Sequence, residues 1–110
     1  MIKKYKTSAI TFVRKALDVK GRTIHNGRGG YECSFVGISN TELIKRVRDN
    51  IDKWQNKGLV QEIEDTEKHI RVVLTDSFTC EYYRAFYFNK VADPRWNEYF
   101  CTMVFPELSA

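Results

Sequence analysis

The side chains best suited to nucleophilic or metal chemistry here are three cysteines (Cys33, Cys80, Cys101) and two histidines (His25, His69). His25 and His69 fall in different segments, without the spacing of a local metal motif. No CxxC pair, HExxH helix, GxSxG elbow or GxxxxGK[ST] loop occurs. A Cys33–His25 nucleophile pair is conceivable, but a buried thiol with an unrelated surface histidine is the commoner arrangement. The stretch "NGRGG", residues 26–30, could offer backbone amides to a phosphate. It lacks the lysine and following helix of a nucleotide loop, and so reads as a flexible turn. Glu62, Glu64, Asp65 and Glu67 crowd around one short turn, which is a solvated setting and not a cleft. These residues imply no catalytic site, no metal and no cofactor, and the chain is not expected to be an enzyme.

Charge is the second chemical signal. The net charge of +4 over 110 residues is small, yet it is unevenly distributed. Residues 1–60 hold 13 Lys and Arg against 5 Asp and Glu, whereas residues 61–110 hold 5 against 9. Lys3, Lys4, Lys6, Arg14, Lys15, Lys20, Arg22 and Arg28 crowd the N-terminal quarter beside a single acid, Asp18. A domain with one polyanion-facing side shows such asymmetry, and so does a solvated basic terminus. An odd number of cysteines without paired spacing suits free thiols in a reducing cytoplasm. No apolar run approaches the roughly 18 residues of a membrane span, so no membrane partner is expected.

These residues need elements to hold them. With 43% apolar residues and 29% charged, the chain has the composition of one folded domain over residues 1–110. Ile10, Val13 and Leu17 form a helical stripe, which predicts a first helix over 7–19, capped by Thr7 or Ser8 and ending near Gly21. Asn26-Gly27 is a turn pair, and "YECSFVG" is consistent with a short strand. The segment "GISNTELIKRVRDNIDKWQNKGLVQEIED", Gly37 to Asp65, holds a start, a face and a stop for one helix, then a strand. Ser39 and Glu42 have capping-box spacing, with Ile38 and Leu43 in staple positions. Leu43, Ile44, Val47, Ile51 and Trp54 share one helical face, and Gly58 is suited to a left-handed stop. A helix over 40–57 follows, then a β-hairpin over about 59–75 built from "LVQEI" and "HIRVVLT". "CEYYRAFYF" and "EYFCTMVF" favour strands, although Phe78, Tyr82 and Phe86 equally fit a helix over 77–88.

"VGIS" opening a helix, "KGLV" closing it, an acidic turn and "HIRVVLT" together resemble the second half of a winged helix-turn-helix domain, nearest in pattern to the multiple-antibiotic-resistance-regulator type. Gly37, Ile38, Ser39, Gly58, Leu59, Val60, Val72, Leu74 and Thr75 carry the resemblance. It implies an α+β, winged-helix-like domain: an N-terminal helix, a long central recognition helix and a β-hairpin wing, here with an extra C-terminal aromatic β region. "HNGRGGYECSF", where the supporting helix of that motif would lie, is glycine-rich and poorly helical, so the first helix would have to serve across a long connection.

The resemblance implies duplex DNA as partner and a role in transcription or replication. Asn40, Thr41, Lys45 and Arg46 stand near the start of the central helix, where base contacts are usually made. Lys53, Lys3, Lys4, Lys6, Arg14, Arg22, Arg28 and Arg71 would meet phosphates. Asp49 and Asp52 on the same solvent face oppose that use. An alternative is a protein-interaction module, for instance a phage- or mobile-element-encoded inhibitor or adaptor, a homodimer included, that works through Tyr83, Tyr87 and Trp96. "RAFYFNKV" is also faintly similar to the aromatic strand of RNA-recognition domains, but lacks their glycines.

Overall fold

The computed structural model describes residues 5–25, 30–36, 38–79, 84–90 and 99–104, the side chains of 21–25, 30–36 and 99–104 excepted. Helix α1 spans Ala9–Leu17. Its cap is Ser8, whose side-chain oxygen accepts from Thr11 N at 3.3 Å. Asp18 adopts a left-handed conformation (φ 54°) and closes the helix, with its N–H donating to Lys15 O at 3.2 Å. The helix is therefore shorter than the expected 7–19, because Asp18 performs the stop anticipated near Gly21. Ala9, Val13 and Leu17 are the buried stripe, while Ile10 only packs against the core from its margin.

Gly21 instead lies within strand β1 (Lys20–His25), antiparallel to β2 (Gly30–Val36). A short strand with a glycine as its second residue has little local signal of its own. It gains its ladder by pairing with β2, and β2 gains its second ladder from β6, the strand Tyr99–Val104. The Asn26-Gly27 turn lies outside the described residues.

Helix α2, Asn40–Asn56, matches its sequence pattern closely. Ser39 Oγ accepts from Glu42 N at 3.2 Å, and Leu43, Ile44, Val47, Ile51 and Trp54 are all buried. Gly58 carries φ +71°, and Leu59 N then donates to Trp54 O at 2.9 Å. A side chain at Gly58 would meet nothing within 4 Å, so glycine serves the backbone conformation and not a close contact.

Strands β3 (Val60–Asp65) and β4 (His69–Leu74) form the expected hairpin. Thr66 Oγ1 accepts from Lys68 N and His69 N at its tip, and Thr75 N donates to Leu59 O at 2.9 Å across its base. Strand β5, Ala85–Asn89, settles the later part of the helix-or-strand question at 77–88 in favour of a strand. Residues 80–83 of that stretch lie outside the described residues.

Among the described residues the sheet has six strands in the order β1-β2-β6-β5-β4-β3, every neighbouring pair antiparallel. The protein is thus an α+β domain, with α1 and α2 separated in the chain by the β1–β2 hairpin. The core joins the helix stripes to Ile70, Val72 and Leu74 of β4 and Phe86 and Phe88 of β5. An aromatic group seals its end. Tyr5 stacks on Phe78 at 5.2 Å, and Phe12 bridges Phe78 (5.1 Å) and Trp54 (5.9 Å). Tyr5 N donates to Ser77 O and Thr79 N to Thr7 O, fastening the N-terminal segment to the chain after β4.

Candidate nucleic-acid interface

The N-terminal half of α2 and the end of β5 enclose a groove of about 390 Å³, lined by Asn40, Thr41, Ile44, Lys45, Arg48, Asp49 and Lys90. Sequence spacing accounts for the helix side. Thr41, Lys45 and Arg48 lie at i, i+4 and i+7 along one flank of the helix, beside the core-stripe residue Ile44, and all three are exposed. Tertiary structure supplies the other wall. Asn40 Nδ2 donates to Asn89 O at 3.3 Å, which docks the first turn of α2 onto the end of β5. Lys90 N donates to Lys68 O at 2.8 Å, fixing this residue beside the β3–β4 turn.

Asp65, the last residue of β3, ties two cations of the groove, Arg48 and Lys90, together. Its carboxylate accepts a hydrogen bond from Lys90 Nζ and lies 3.6 Å from Arg48 Nη2. The Lys90 bond is the largest influence on Asp65 and holds its carboxyl below the usual carboxylate range against a smaller effect of burial; Arg48 adds to the lowering. The groove therefore gathers three cations, Lys45, Arg48 and Lys90, with Asp49 on its lining and Asp65 at its rim.

The other expected contact residues are dispersed. Arg46 turns toward α1: its Nη1 donates to Leu17 O at 3.0 Å and Asp18 O at 3.1 Å, and its Nε donates to Glu42 at 3.2 Å. It occupies the carbonyl end of α1, where a helix leaves acceptors unsatisfied and favours positive charge. Arg71 is buried on β4 with Nη1 donating to Glu62 at 2.9 Å. Burial works to lower its pKa, but the Glu62 carboxylate and Tyr87 outweigh this and keep it charged. Lys53 is exposed farther along α2, beyond the groove. Arg14 joins Thr11, Lys15, Asp18, Val19 and Lys20 around a second hollow of about 380 Å³ beside α1. Lys6 is exposed in the segment before α1.

Lys3, Lys4, Arg28, Tyr83 and Trp96 lie outside the described residues, as does the side chain of Arg22. Tyr87 is half-buried on β5, edge-on to the His69 ring at 5.0 Å. His69 in turn lies 3.3 Å from Glu64. Two groove residues, Arg48 and Lys90, were not among those singled out by sequence. Arg48 carried a signal, since it stands one turn beyond Lys45; Lys90 carried none, because its position depends on the β4–β5 pairing.

Among the described residues no group of three or more His, Cys, Asp or Glu side chains is placed to hold a metal ion, and no helix is long and apolar enough to cross a membrane. The fold and the groove define a small α+β domain with a basic cleft at the start of its longer helix. Comparison with protein-family models, curated proteins and solved structures found no match.

Proposed function

We propose that this protein binds nucleic acid, with duplex DNA as the preferred form, and acts in the cytoplasm as a small regulator of transcription or replication. The observation that carries this reading is the groove at the start of α2, where Lys45, Arg48 and Lys90 meet beside Asn40 and Thr41. Cations supply the sequence-independent attraction to phosphate, while Thr41 and the Asn40 Oδ1, its Nδ2 being given to Asn89 O, are hydrogen-bonding groups of the kind that read base edges. A helix followed directly by the β3–β4 hairpin also has the order of a recognition helix and wing. Asp65 and Asp49 oppose the attraction, so a phosphate entering the groove competes with Asp65 for Arg48 and Lys90.

Binding to random duplex DNA as a function of salt tests the reading. The log–log slope should be near −0.9 per phosphate neutralised, with about four to six phosphates reasonable for one domain. Lys45→Ala and Arg48→Ala should each flatten that slope by roughly one contact. No binding at low salt, or a flat response, would remove the proposal.

One observation favours a second reading, a protein-interaction module. Among the described residues strand β3 ends the sheet, and its side chains from Gln61 to Asp65 are exposed on both faces, Ile63 included. Such an edge can accept a strand from a partner or from a second copy. Ile63→Lys should abolish that association and leave DNA binding unchanged.

A further inference from the structure

Independently of the nucleic-acid reading, we propose that Cys33 and Cys101 form a reversible disulfide that locks β2 to β6. The β2–β6 ladder runs without a register shift from Gly30↔Val104 to Phe35↔Tyr99, and within it Cys33 stands directly opposite Cys101. Directly opposed residues of an antiparallel pair lie on the same face of the sheet. Their α-carbons are about 4.5 or 5.5 Å apart, according to whether the pair is hydrogen-bonded. Both values fall inside the roughly 4.4–6.8 Å separation that a disulfide spans, so the bond requires no change of register. Sequence spacing concealed this relation, because most of the chain lies between the two residues.

The position also matters mechanically. Strand β6 pairs with β5 on its other side, with Cys101 opposite Phe88. The β2–β6 ladder is therefore the seam joining the β1–β2 hairpin to the β3–β4–β5 meander. Closing a loop this long is entropically costly for the unfolded chain, so a covalent link at the seam favours the folded form more than a local one would.

The oxidant is a small-molecule disulfide such as oxidised glutathione. One cysteine thiolate attacks it, forms a mixed disulfide and releases one equivalent of the reagent as thiol. The second cysteine thiolate then attacks the protein sulfur of that mixed disulfide and displaces the second equivalent. The protein loses two hydrogens, and the reagent is reduced to two thiols. An excess of monothiol or dithiol reverses both steps.

The full chain, prepared reduced, is incubated with oxidised glutathione, its remaining thiols are alkylated, and its peptides are mapped by mass spectrometry without reduction. A peptide pair joining Cys33 to Cys101 is expected, with Cys80 recovered alkylated or glutathionylated. A Cys80→Ser variant should form the same link. Its melting temperature should rise by at least about 4 °C on oxidation, and fall back with dithiothreitol. Cys33→Ser and Cys101→Ser should show neither the link nor the rise. Recovery of Cys33 and Cys101 unlinked would overturn the proposal, as would a dominant link through Cys80 or between chains. A link that leaves the melting temperature unchanged would overturn the lock. The peptide map of the unmutated protein decides the first point even if a serine variant folds poorly.

Discussion

Replacing Arg46 by alanine separates two roles that its position on α2 allows. The structure engages its guanidinium with Leu17 O at 3.0 Å, Asp18 O at 3.1 Å and Glu42 at 3.2 Å. Hydrogen bonds to a charged group contribute ~1.5–3 kcal/mol each when shielded from water. The Arg46 side chain is 36% exposed and Glu42 47%, so water replaces much of what is lost and the pair with Glu42 adds only a few tenths of a kcal/mol. Arg46→Ala should therefore cost ~1.5–2 kcal/mol in total. Arg46→Lys should fall between, since an ammonium cannot serve two carbonyls with a planar fork. Urea unfolding of the three proteins gives the comparison, with the midpoint falling and the slope m unchanged. The same variants, assayed on one preferred DNA sequence and on random DNA, should lose affinity equally on both, if at all. A stability change under ~0.5 kcal/mol combined with selective loss on the preferred sequence would refute the reasoning and return Arg46 to base reading.

Trp54 is 2% exposed and in contact with Phe12, so Trp54→Ala should cost ~3–5 kcal/mol in urea unfolding; a loss below ~1 kcal/mol would show that this face does not pack as described. Asp65 has its pKa lowered by Lys90, so its contribution is present above the ordinary carboxylate pKa and disappears as pH falls through the lowered value. Because the side chain is about half exposed, the stability gap between wild type and Asp65→Asn should be under ~1 kcal/mol at neutral pH and close to nothing in strong acid. Asp65→Asn should also raise affinity for DNA, by removing the carboxylate that competes for Arg48 and Lys90; unchanged or weaker binding would place the contact surface elsewhere.

Helix α2 and the β3–β4 hairpin were legible in the sequence because their determinants are local. Ser39, the stripe from Leu43 to Trp54 and Gly58 act within a turn or two of where they stand. Thr66 likewise organises a tip that its own neighbours close. The candidate interface was half legible for the same reason. Thr41, Lys45 and Arg48 share a face by helical periodicity alone, whereas Lys90 reaches that groove only through the β4–β5 ladder. Arg46 looked equivalent to Lys45 in the sequence. One residue, a rotation of about 100°, separates a side chain that lines the groove from one that caps α1, and only the packing of α1 on α2 distinguishes them.

By itself, then, the sequence determined an α+β composition, a capped and sided central helix, its hairpin, and a basic first half. Tertiary structure decided that β1 is a strand at all and that residues 85–89 extend. It also set β6 between β2 and β5, with Cys33 and Cys101 at paired register positions. The physical reason is the range of the interactions. Caps, turns and helical stripes are satisfied by neighbours in the chain, while a strand's hydrogen bonds are satisfied by a partner that can lie at any sequence distance. A short strand such as Lys20–His25 holds no record of that partner, and its conformation follows from the ladder it joins.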